Sequence, residues 1–164
     1  MYKRQALDAT TGQVLWLWRP QEGERFDEAP RKGAGRGVAY WTDGDKKRVI
    51  DVTPGYHLVS LDAETGVPDP DFGQGGIVDL FVGLRNADDP RFPFPDIGLS
   101  AAPFVMNDVI VVGAAHRVGM RPRSKANVKG DIRGFDARTG ELLWTFRTIP
   151  ERGDYGYESW LDGG

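Results

Sequence analysis

Few side chains in this sequence are suited to chemistry, and they are widely spaced. The 164 residues include two histidines, His57 and His116, and no cysteine. The lack of cysteine excludes disulfide scaffolds, zinc knuckles, thiol catalysis and iron–sulfur ligation together. Arg36, within GRGVAYW, carries a guanidinium whose shape suits a two-point contact with a carboxylate, but taken alone it fits a surface arginine better.

The remaining candidates each have a plain structural reading beside the functional one. His116 either donates a hydrogen bond to a bound ligand or bonds to local backbone near a loop. His57 precedes LVSLDAETG, where a solvated side chain is expected. The acidic residues Asp88, Asp89 and Asp96 lie in a proline-rich stretch, so a solvated loop is favoured over a metal cluster.

A repeated ten-residue pattern indicates the elements that must position these groups. The segments LDATTGQVLW and FDARTGELLW stand at 7–16 and 135–144, and a partial third copy, LDAETGVPDP, stands at 61–70. We read each copy as a hairpin: a strand ends at Asp, Thr-Gly closes a tight turn, and a second strand follows. The three Asp side chains are expected to accept backbone N–H bonds, and the three glycines to adopt positive φ.

Composition and periodicity predict an all-β fold. The 22 glycines and 11 prolines make up about a fifth of the chain, which is high for a helical protein but below the level typical of disorder. Short alternating or β-branched runs occur at 56–62, 109–112 and 142–146, and no window carries a helical stripe. The proline- and aspartate-rich segment 81–98 is predicted to be an inserted loop.

The repeats are compatible with a β-propeller, in which each repeat forms one four-stranded blade. Asp8, Asp62 and Asp136 lie 54 and 74 residues apart, which is longer than a propeller repeat of ~40–45 residues but fits blades that carry loop insertions. We expect blade repeats around 6–20, 36–73 and 100–150, with Trp16 and Trp144 wedged between neighbouring sheets. We expect Trp41 to pack between blades rather than to line a pocket. About three blades would make residues 1–164 a partial propeller domain.

Charge and hydropathy exclude two further classes. The formal net charge is −3, with both signs mixed along the chain, whereas a nucleic-acid surface carries a clear basic excess. The longest apolar run, around 109–115, is far shorter than the ~20 residues that span a bilayer. The sequence predicts no nucleic-acid partner and no membrane anchor or signal peptide within these residues.

The repeats resemble the tryptophan-docking motif of the pyrroloquinoline quinone (PQQ) dependent dehydrogenases, the quinoproteins. The pattern A-x-D-x-x-T-G-x-x-x-W is met by residues 6–16 and, with Gly for Ala, by 134–144. The resemblance covers most of the chain, and the second half is most similar to the glucose/quinate-type group. It carries the following segments: GRGVAYW (35–41), PDPDFGQGGIVDL (68–80), LSAAPFVMNDVIVVG (99–113) and IRGFDARTGELLWTFRTIP (132–150).

This resemblance implies a fold and a set of cofactor contacts. The fold would be part of an eight-bladed propeller, of which this chain supplies about three blades. Arg36 matches the family's arginine that pairs with a PQQ carboxylate, and Ser100 the hydroxyl that meets the cofactor. Ala115 and His116 lie in the segment that matches the one against the quinone.

Departures from the family pattern limit what the resemblance implies about metals and catalysis. Val118 stands where the alcohol dehydrogenase branch has a calcium-binding glutamate, and Val cannot ligate calcium. The resemblance implies calcium beside PQQ, but no metal ligand can be named in this segment. Pro30-Arg31 replaces the vicinal cysteine pair of some members, and no residue can be assigned as catalytic base.

The implied function is oxidation of a sugar, polyol or other alcohol, with electrons passed through PQQ to a membrane quinone or cytochrome. The implied location is the periplasm, in a parent protein that could be membrane-associated. By itself the segment is expected to be inactive and to expose apolar blade faces that the remaining blades would cover. The alternative is a non-catalytic propeller with PQQ-like repeats that serves as a protein-binding scaffold.

Overall fold

A computed structural model describes residues 3–32, 37–88, 94–117 and 124–160 and confirms an all-β chain. Its helical elements in those ranges are the one-turn helix α1 (Glu24–Asp27) and a 3₁₀ turn (Tyr157–Ser159), and no helix there could cross a membrane. The strands are β1 (Arg4–Leu7), β2 (Val14–Trp18), β3 (Ala39–Thr42), β4 (Lys47–Val52), β5 (His57–Asp62), β6 (Ile77–Asp79), β7 (Ile97–Gly98), β8 (Phe104–Met106), β9 (Val109–Val112), β10 (Ala115–His116), β11 (Ile132–Asp136) and β12 (Leu142–Phe146).

All strand pairs in the described ranges are antiparallel, and the strands form four sheets. The first hairpin, β1–β2, stands alone; the second sheet has the order β3-β4-β5-β6, and the third β8-β9-β11-β12. The two-residue strands β7 and β10 pair with each other. The segment 81–98, predicted to be a loop, therefore ends in a strand. The predicted blade boundaries stay a prediction.

The three repeated corners, corner 1 (8–12), corner 2 (62–66) and corner 3 (136–140), have one geometry. In corner 1 the Oδ1 atom of Asp8 accepts the backbone N–H groups of Thr10 and Thr11 at 2.9 and 2.7 Å and the Thr11 hydroxyl at 2.9 Å. Corners 2 and 3 repeat these bonds. Their glycines have φ of 72°, 72° and 75°. Both expectations for the hairpin turns are correct.

The hydrophobic core lies between the second and third sheets. It includes Ile50 and Leu58 from the second sheet and Ile110, Val112 and Phe135 from the third, all nearly or fully buried. These sheets pack face to face, as expected when the apolar face of one sheet covers that of another. Burial of these apolar side chains between the two sheets therefore stabilises both of them.

The seam between the first hairpin and the second sheet, the first seam, is built around Trp16. The indole Nε1–H donates to the carbonyl of Ala63 at 3.0 Å. A Cβ placed on Gly66 would lie 2.5 Å from the ring, so the indole rests directly on the backbone of corner 2. An ion pair of Arg4 with buried Asp51, at 2.8 Å, supports the same seam. Trp16 thus lies where the sequence places it.

The seam between the second and third sheets, the second seam, is joined at corner 3 by Phe72 and Arg48 rather than by a tryptophan. Pro70 stands where the repeat pattern has tryptophan, and Phe72 instead lies against Gly140 of corner 3, with Cε1 3.2 Å from a Cβ placed there. The Arg48 guanidinium donates to the carbonyl of Ala137 at 2.6 Å, the counterpart of Ala63 in corner 2. Arg48 also pairs with Asp69.

Trp41 and Trp144 have contrasting positions at the sheets. Trp41 is buried in the second seam, as expected, and its Nε1–H donates to Asp108 at 3.1 Å. Trp144 lies over Gly134, its antiparallel partner, and is 42% exposed. The expectation of a position between sheets is correct for Trp16. For Trp144 it stays a prediction, because no described sheet lies beyond β12, and the exposure of Trp144 agrees with the open blade face expected for a segment of a propeller.

His57 is held by the segment that contains α1, and the expectation of a solvated side chain is wrong. Its Nδ1 lies 2.5 Å from Oε1 of Glu22, and the histidine side chain is 20% exposed. Glu22 also accepts the hydroxyl of Thr53 at 2.6 Å and the N–H of Gly55 at 3.0 Å. The sequence gives no signal for this pairing, because Glu22 belongs to a non-repeating loop far from His57 along the chain.

Candidate functional site

The sequence-predicted cofactor residues converge on the β7–β10 pair, except for one that cannot be located. Ala115 pairs with Gly98 and His116 with Ile97, and Ser100 follows β7 by two residues. Because successive side chains of a strand point to opposite faces, Ala115 and His116 serve different sides of this pair. Arg36 lies outside the described residues, although a Cβ placed on its neighbour Gly37 would lie 3.6 Å from Cβ of Ala102.

Pro30 and Arg31 cover the Gly98 side of the pair. A Cβ on Gly98 would lie 3.5 Å from Cγ of each residue, so the small residue leaves room for this segment. The Arg31 guanidinium also donates to the backbone carbonyl of His116. Pro30 and Arg31 therefore support the strand pair that carries the predicted cofactor residues. The sequence comparison had shown only that these two residues replace the cysteine pair of some family members.

The His116 ring has a fixed orientation and a defined proton. Its Nε2 lies 2.8 Å from the carbonyl oxygen of Val128. A carbonyl oxygen only accepts, so Nε2 carries the proton and Nδ1 of the neutral ring is an acceptor. The ring lies over Gly130, where a Cβ would approach Cε1 to 2.9 Å. Both interpretations of His116 are therefore compatible with the structure. Nε2 bonds to the local backbone, and Nδ1 of the neutral ring can accept a hydrogen bond from a ligand.

A cavity of about 450 Å³ opens on the His116 side of the pair. Two cations, Arg117 and Lys129, line it together with the carboxylate of Asp96, which is 3.1 Å from the Arg117 Nε. Asp96 is therefore an ion-pair partner in the cavity wall rather than a solvated loop residue. Ser100 and Ala115 do not line this cavity. The other polar side chains that do are Ser124, Asn127 and Thr148.

The chemistry available in the cavity is recognition of an anion or a hydroxyl-rich molecule. Arg117 and Lys129 supply positive charge, Asn127 and Ser124 supply neutral hydrogen-bonding groups, and His116 supplies an acceptor. No Phe, Tyr or Trp side chain is among the described lining residues. Sequence reasoning missed Arg117 and Lys129, because nothing in their local pattern distinguishes them from surface cations.

Metal ligation has no support among the residues that the structure describes. In those ranges no three His, Asp or Glu side chains come together as a metal site would require. Asp88 is exposed, and Asp89 and Val118 lie outside the described residues.

Two perturbed carboxylates lie away from this cavity and serve the fold. Burial of Glu22 opposes its ionisation, but hydrogen bonds from His57, Thr53 and Gly55 outweigh that effect and lower its pKa. Burial likewise opposes ionisation of Asp79, and the Arg25 guanidinium, 2.8 Å from Oδ2, overcomes it and lowers the pKa. Both carboxylates bind the α1 segment to the second sheet. They are stability groups rather than acid–base candidates.

Successive antiparallel sheets that meet through repeated corner contacts define this chain as a stretch of β-propeller. A family model described as "PQQ: Glucose/ethanol/alcohol dehydrogenase, beta-propeller domain" matches residues 3–162. The chain belongs to this family of PQQ quinoprotein dehydrogenases, as the sequence motifs predicted.

Named relatives support the same family. The chain is 34% identical over 147 residues to the glycerol dehydrogenase large subunit of Gluconobacter thailandicus, covering 85% of this chain and 18% of that protein. It is 30% identical over 169 residues to the quinate/shikimate dehydrogenase (quinone) of Acinetobacter baylyi, covering 86% and 19%. The chain spans about a fifth of the length of these relatives.

A solved structure supports the fold. A europium-containing methanol dehydrogenase superposes with a TM-score of 0.60 at 19% identity, covering 90% of this chain and 22% of that one. At this identity the likeness concerns the propeller architecture alone.

Proposed function

We propose that this chain is a segment of a PQQ-dependent dehydrogenase that oxidises a CH–OH group of a sugar, polyol or other alcohol. The observation that carries the proposal is the family match over residues 3–162. The electrons would pass to a membrane quinone or a cytochrome, and the reaction would take place in the periplasm. The competing function, a scaffold without redox chemistry, has no structural observation in its favour among the described residues.

The described residues suit one edge of the cofactor. PQQ is a planar quinone with three carboxylates, and the cavity offers Arg117, Lys129, Asn127 and Ser124 to such groups. Ser100, Ala115 and Arg36 remain proposed cofactor contacts, although Ser100 and Ala115 do not line this cavity and Arg36 lies outside the described residues. We propose that other blades supply large aromatic surfaces for the ring faces, since no Phe, Tyr or Trp lines the cavity among the described residues.

When bound, PQQ would supply the acceptor for the hydride that leaves the alcohol carbon. The chain's own contribution is positioning: Arg31 fixes the backbone of His116, and Val128 fixes the His116 tautomer. The acceptor nitrogen of His116 suits a hydroxyl donor, such as one group of a polyol. We assign no catalytic base and no calcium ligand to this chain.

The test is a PQQ titration of the longest protein that contains this sequence, followed by absorbance. We expect saturable binding that Arg36→Ala weakens about tenfold or more, as loss of a charge-assisted contact predicts. Arg152→Ala, at an exposed position, is the matched control and should bind like the unaltered protein. Binding that does not saturate would instead favour the scaffold.

Activity provides a second, independent measurement. The 164-residue chain alone, with PQQ and calcium added, should give no dye-linked oxidation of glycerol, glucose or quinate. The reason is that it contains no assignable base and no cover for the cofactor rings among the described residues. Turnover above a blank without protein would contradict this expectation.

A further inference from the structure

Asn86 lies in a backbone conformation that few residues other than glycine adopt. Its φ is 57°, in the left-handed region, where asparagine is tolerated better than most side chains but glycine is least strained. Residues in such conformations persist where the surrounding structure holds them, and they are frequent at functional sites. Glycine would fit this turn with less strain, so the amide of Asn86 needs a separate reason.

The amide of Asn86 holds one wall of the cavity. Its Nδ2 donates to the backbone carbonyls of Lys125 and Asn127 at 3.0 and 3.3 Å. Both belong to residues 124–130, which we call the cavity wall because most of them line the cavity. The side chain that the turn itself does not need is therefore used to fix this wall.

Arg85 makes the anchor of the wall rigid. Its backbone carbonyl accepts the N–H of Lys129 at 3.0 Å. Its guanidinium pairs with the buried carboxylate of Asp131 at 2.5 and 2.9 Å and donates to the carbonyl of Ile149 at 3.1 Å. Two-point pairing of this kind fixes orientation as well as distance. Asn86 therefore projects from backbone that is itself attached to both ends of the cavity lining.

The bonds from Asn86 and from the carbonyl of Arg85 fall on either side of Val128. The carbonyl of Val128 accepts from Nε2 of His116 at 2.8 Å, and this bond selects the tautomer in which Nδ1 is an acceptor. A wall released from Asn86 would let the Val128 carbonyl move. The position of the His116 proton therefore depends on Asn86.

We propose that Asn86 is a positioning residue of the candidate site, which acts through Val128 on His116. It keeps the proton on Nε2 and keeps Nδ1 able to accept from a ligand hydroxyl, and it holds Asn127 and Lys129 at the cavity. The part of the proposal that concerns a ligand rests on the proposed function. The effect on the His116 ring does not require a ligand.

The first experiment follows the ring nitrogens of the two histidines by NMR, in the chain labelled with ¹⁵N at histidine, at mildly alkaline pH. Asn86→Gly keeps the positive φ and removes the amide, so the fold should persist while the wall is released. We expect the Nε2-protonated form of His116, dominant in the unaltered chain, to give way to a mixture of both tautomers. The signals of His57, which pairs with Glu22, should not change.

Asn107→Gly is the matched control. Asn107 also has a positive φ, of 53°, and is exposed at the β8–β9 turn, and within the described ranges its amide makes no bond to the cavity wall. Asn86→Asp keeps the size but lacks the donor, so it should act like Asn86→Gly and decides the matter if that variant does not fold. Unmoved His116 signals in the Asn86 variants, or equal changes in Asn107→Gly, would overturn the proposal.

The second experiment measures PQQ binding by the longest protein that contains this sequence. Asn86→Gly should bind PQQ about fivefold more weakly than the unaltered protein, because Asn127 and Lys129 are no longer held at the cavity. Asn107→Gly should bind as the unaltered protein does. Equal affinity in all three would mean that Asn86 does not position the site. Absence of binding by the unaltered protein would count against the proposed function instead, and the histidine spectra would then decide the role of Asn86.

Discussion

At the scale of single residues, a corner glycine can be needed for two reasons: the turn requires a positive φ, and a neighbouring side chain can leave no room for a Cβ. A comparison of Gly12 with Gly66 separates the two reasons. Gly12 and Gly66 have the same φ and the same local hydrogen bonds, but only Gly66 of the two carries an indole. Any residue with a Cβ is strained at this φ. At Gly66 the Cβ would also displace Trp16, because it would lie 2.5 Å from the ring.

We predict that Gly12→Ala lowers the free energy of unfolding by about 1 kcal/mol. Gly66→Ala should lower it by a further ~1–3 kcal/mol, the usual effect of overpacking. Urea unfolding measures both losses. Equal losses at the two positions would mean that Trp16 does not rest on corner 2 in solution.

At the scale of elements, the second seam depends on a buried arginine. Arg48 pairs with Asp69 and donates to the carbonyls of Ala137 and Arg138, at 2.6 and 2.7 Å. Its guanidinium also lies 5.1 Å from the centre of the Trp41 ring. The side chain therefore connects the second sheet to the third through charge, hydrogen bonds and an aromatic contact.

Replacing Arg48 by Met should lower the free energy of unfolding by about 3–5 kcal/mol, since it removes the arginine from a buried carboxylate and two carbonyls. Lys47→Met is the matched control: Lys47 is the next residue, half exposed, and pairs with exposed Glu64. Loss of such a surface pair changes stability by no more than ~1 kcal/mol. Similar losses for both variants, measured by urea unfolding, would refute the role given to Arg48.

At the scale of the whole molecule, stability should fall in acid, in part through Glu22. Its pKa is lowered in the folded chain, so its carboxylate stabilises the fold above the ordinary glutamate value of 4.5, and that stability is lost as the pH falls through the folded pKa. Unfolding measured from neutral pH down to acid should show a shallower loss below about pH 4.5 for Glu22→Gln. Thr53→Val removes one donor and should lie between that variant and the unaltered chain. An unchanged slope in Glu22→Gln would contradict the assignment.

The sequence predicted the parts of this architecture that repeat. The three corners were recognisable because Asp and Thr-Gly recur at fixed spacing, and Trp16 followed from the same pattern. The second seam was not predictable, because Arg48 and Phe72 stand outside the motif and meet corner 3 only through the folded chain. Arg31, which braces the candidate site, and Glu22, which holds His57, lie in loops whose partners are distant in sequence.

The two seams use different side chains, so each sheet is matched to one neighbour. Trp16 packs on corner 2, whereas Arg48 and Phe72 pack on corner 3. The contacts that join one pair of sheets therefore differ from those that join the next. Shuffled pairings would bury a guanidinium without its carboxylate or an indole against a filled corner, and both are unfavourable. Near-identical turns can therefore recur along one polypeptide while the side chains around them favour one pairing of the sheets.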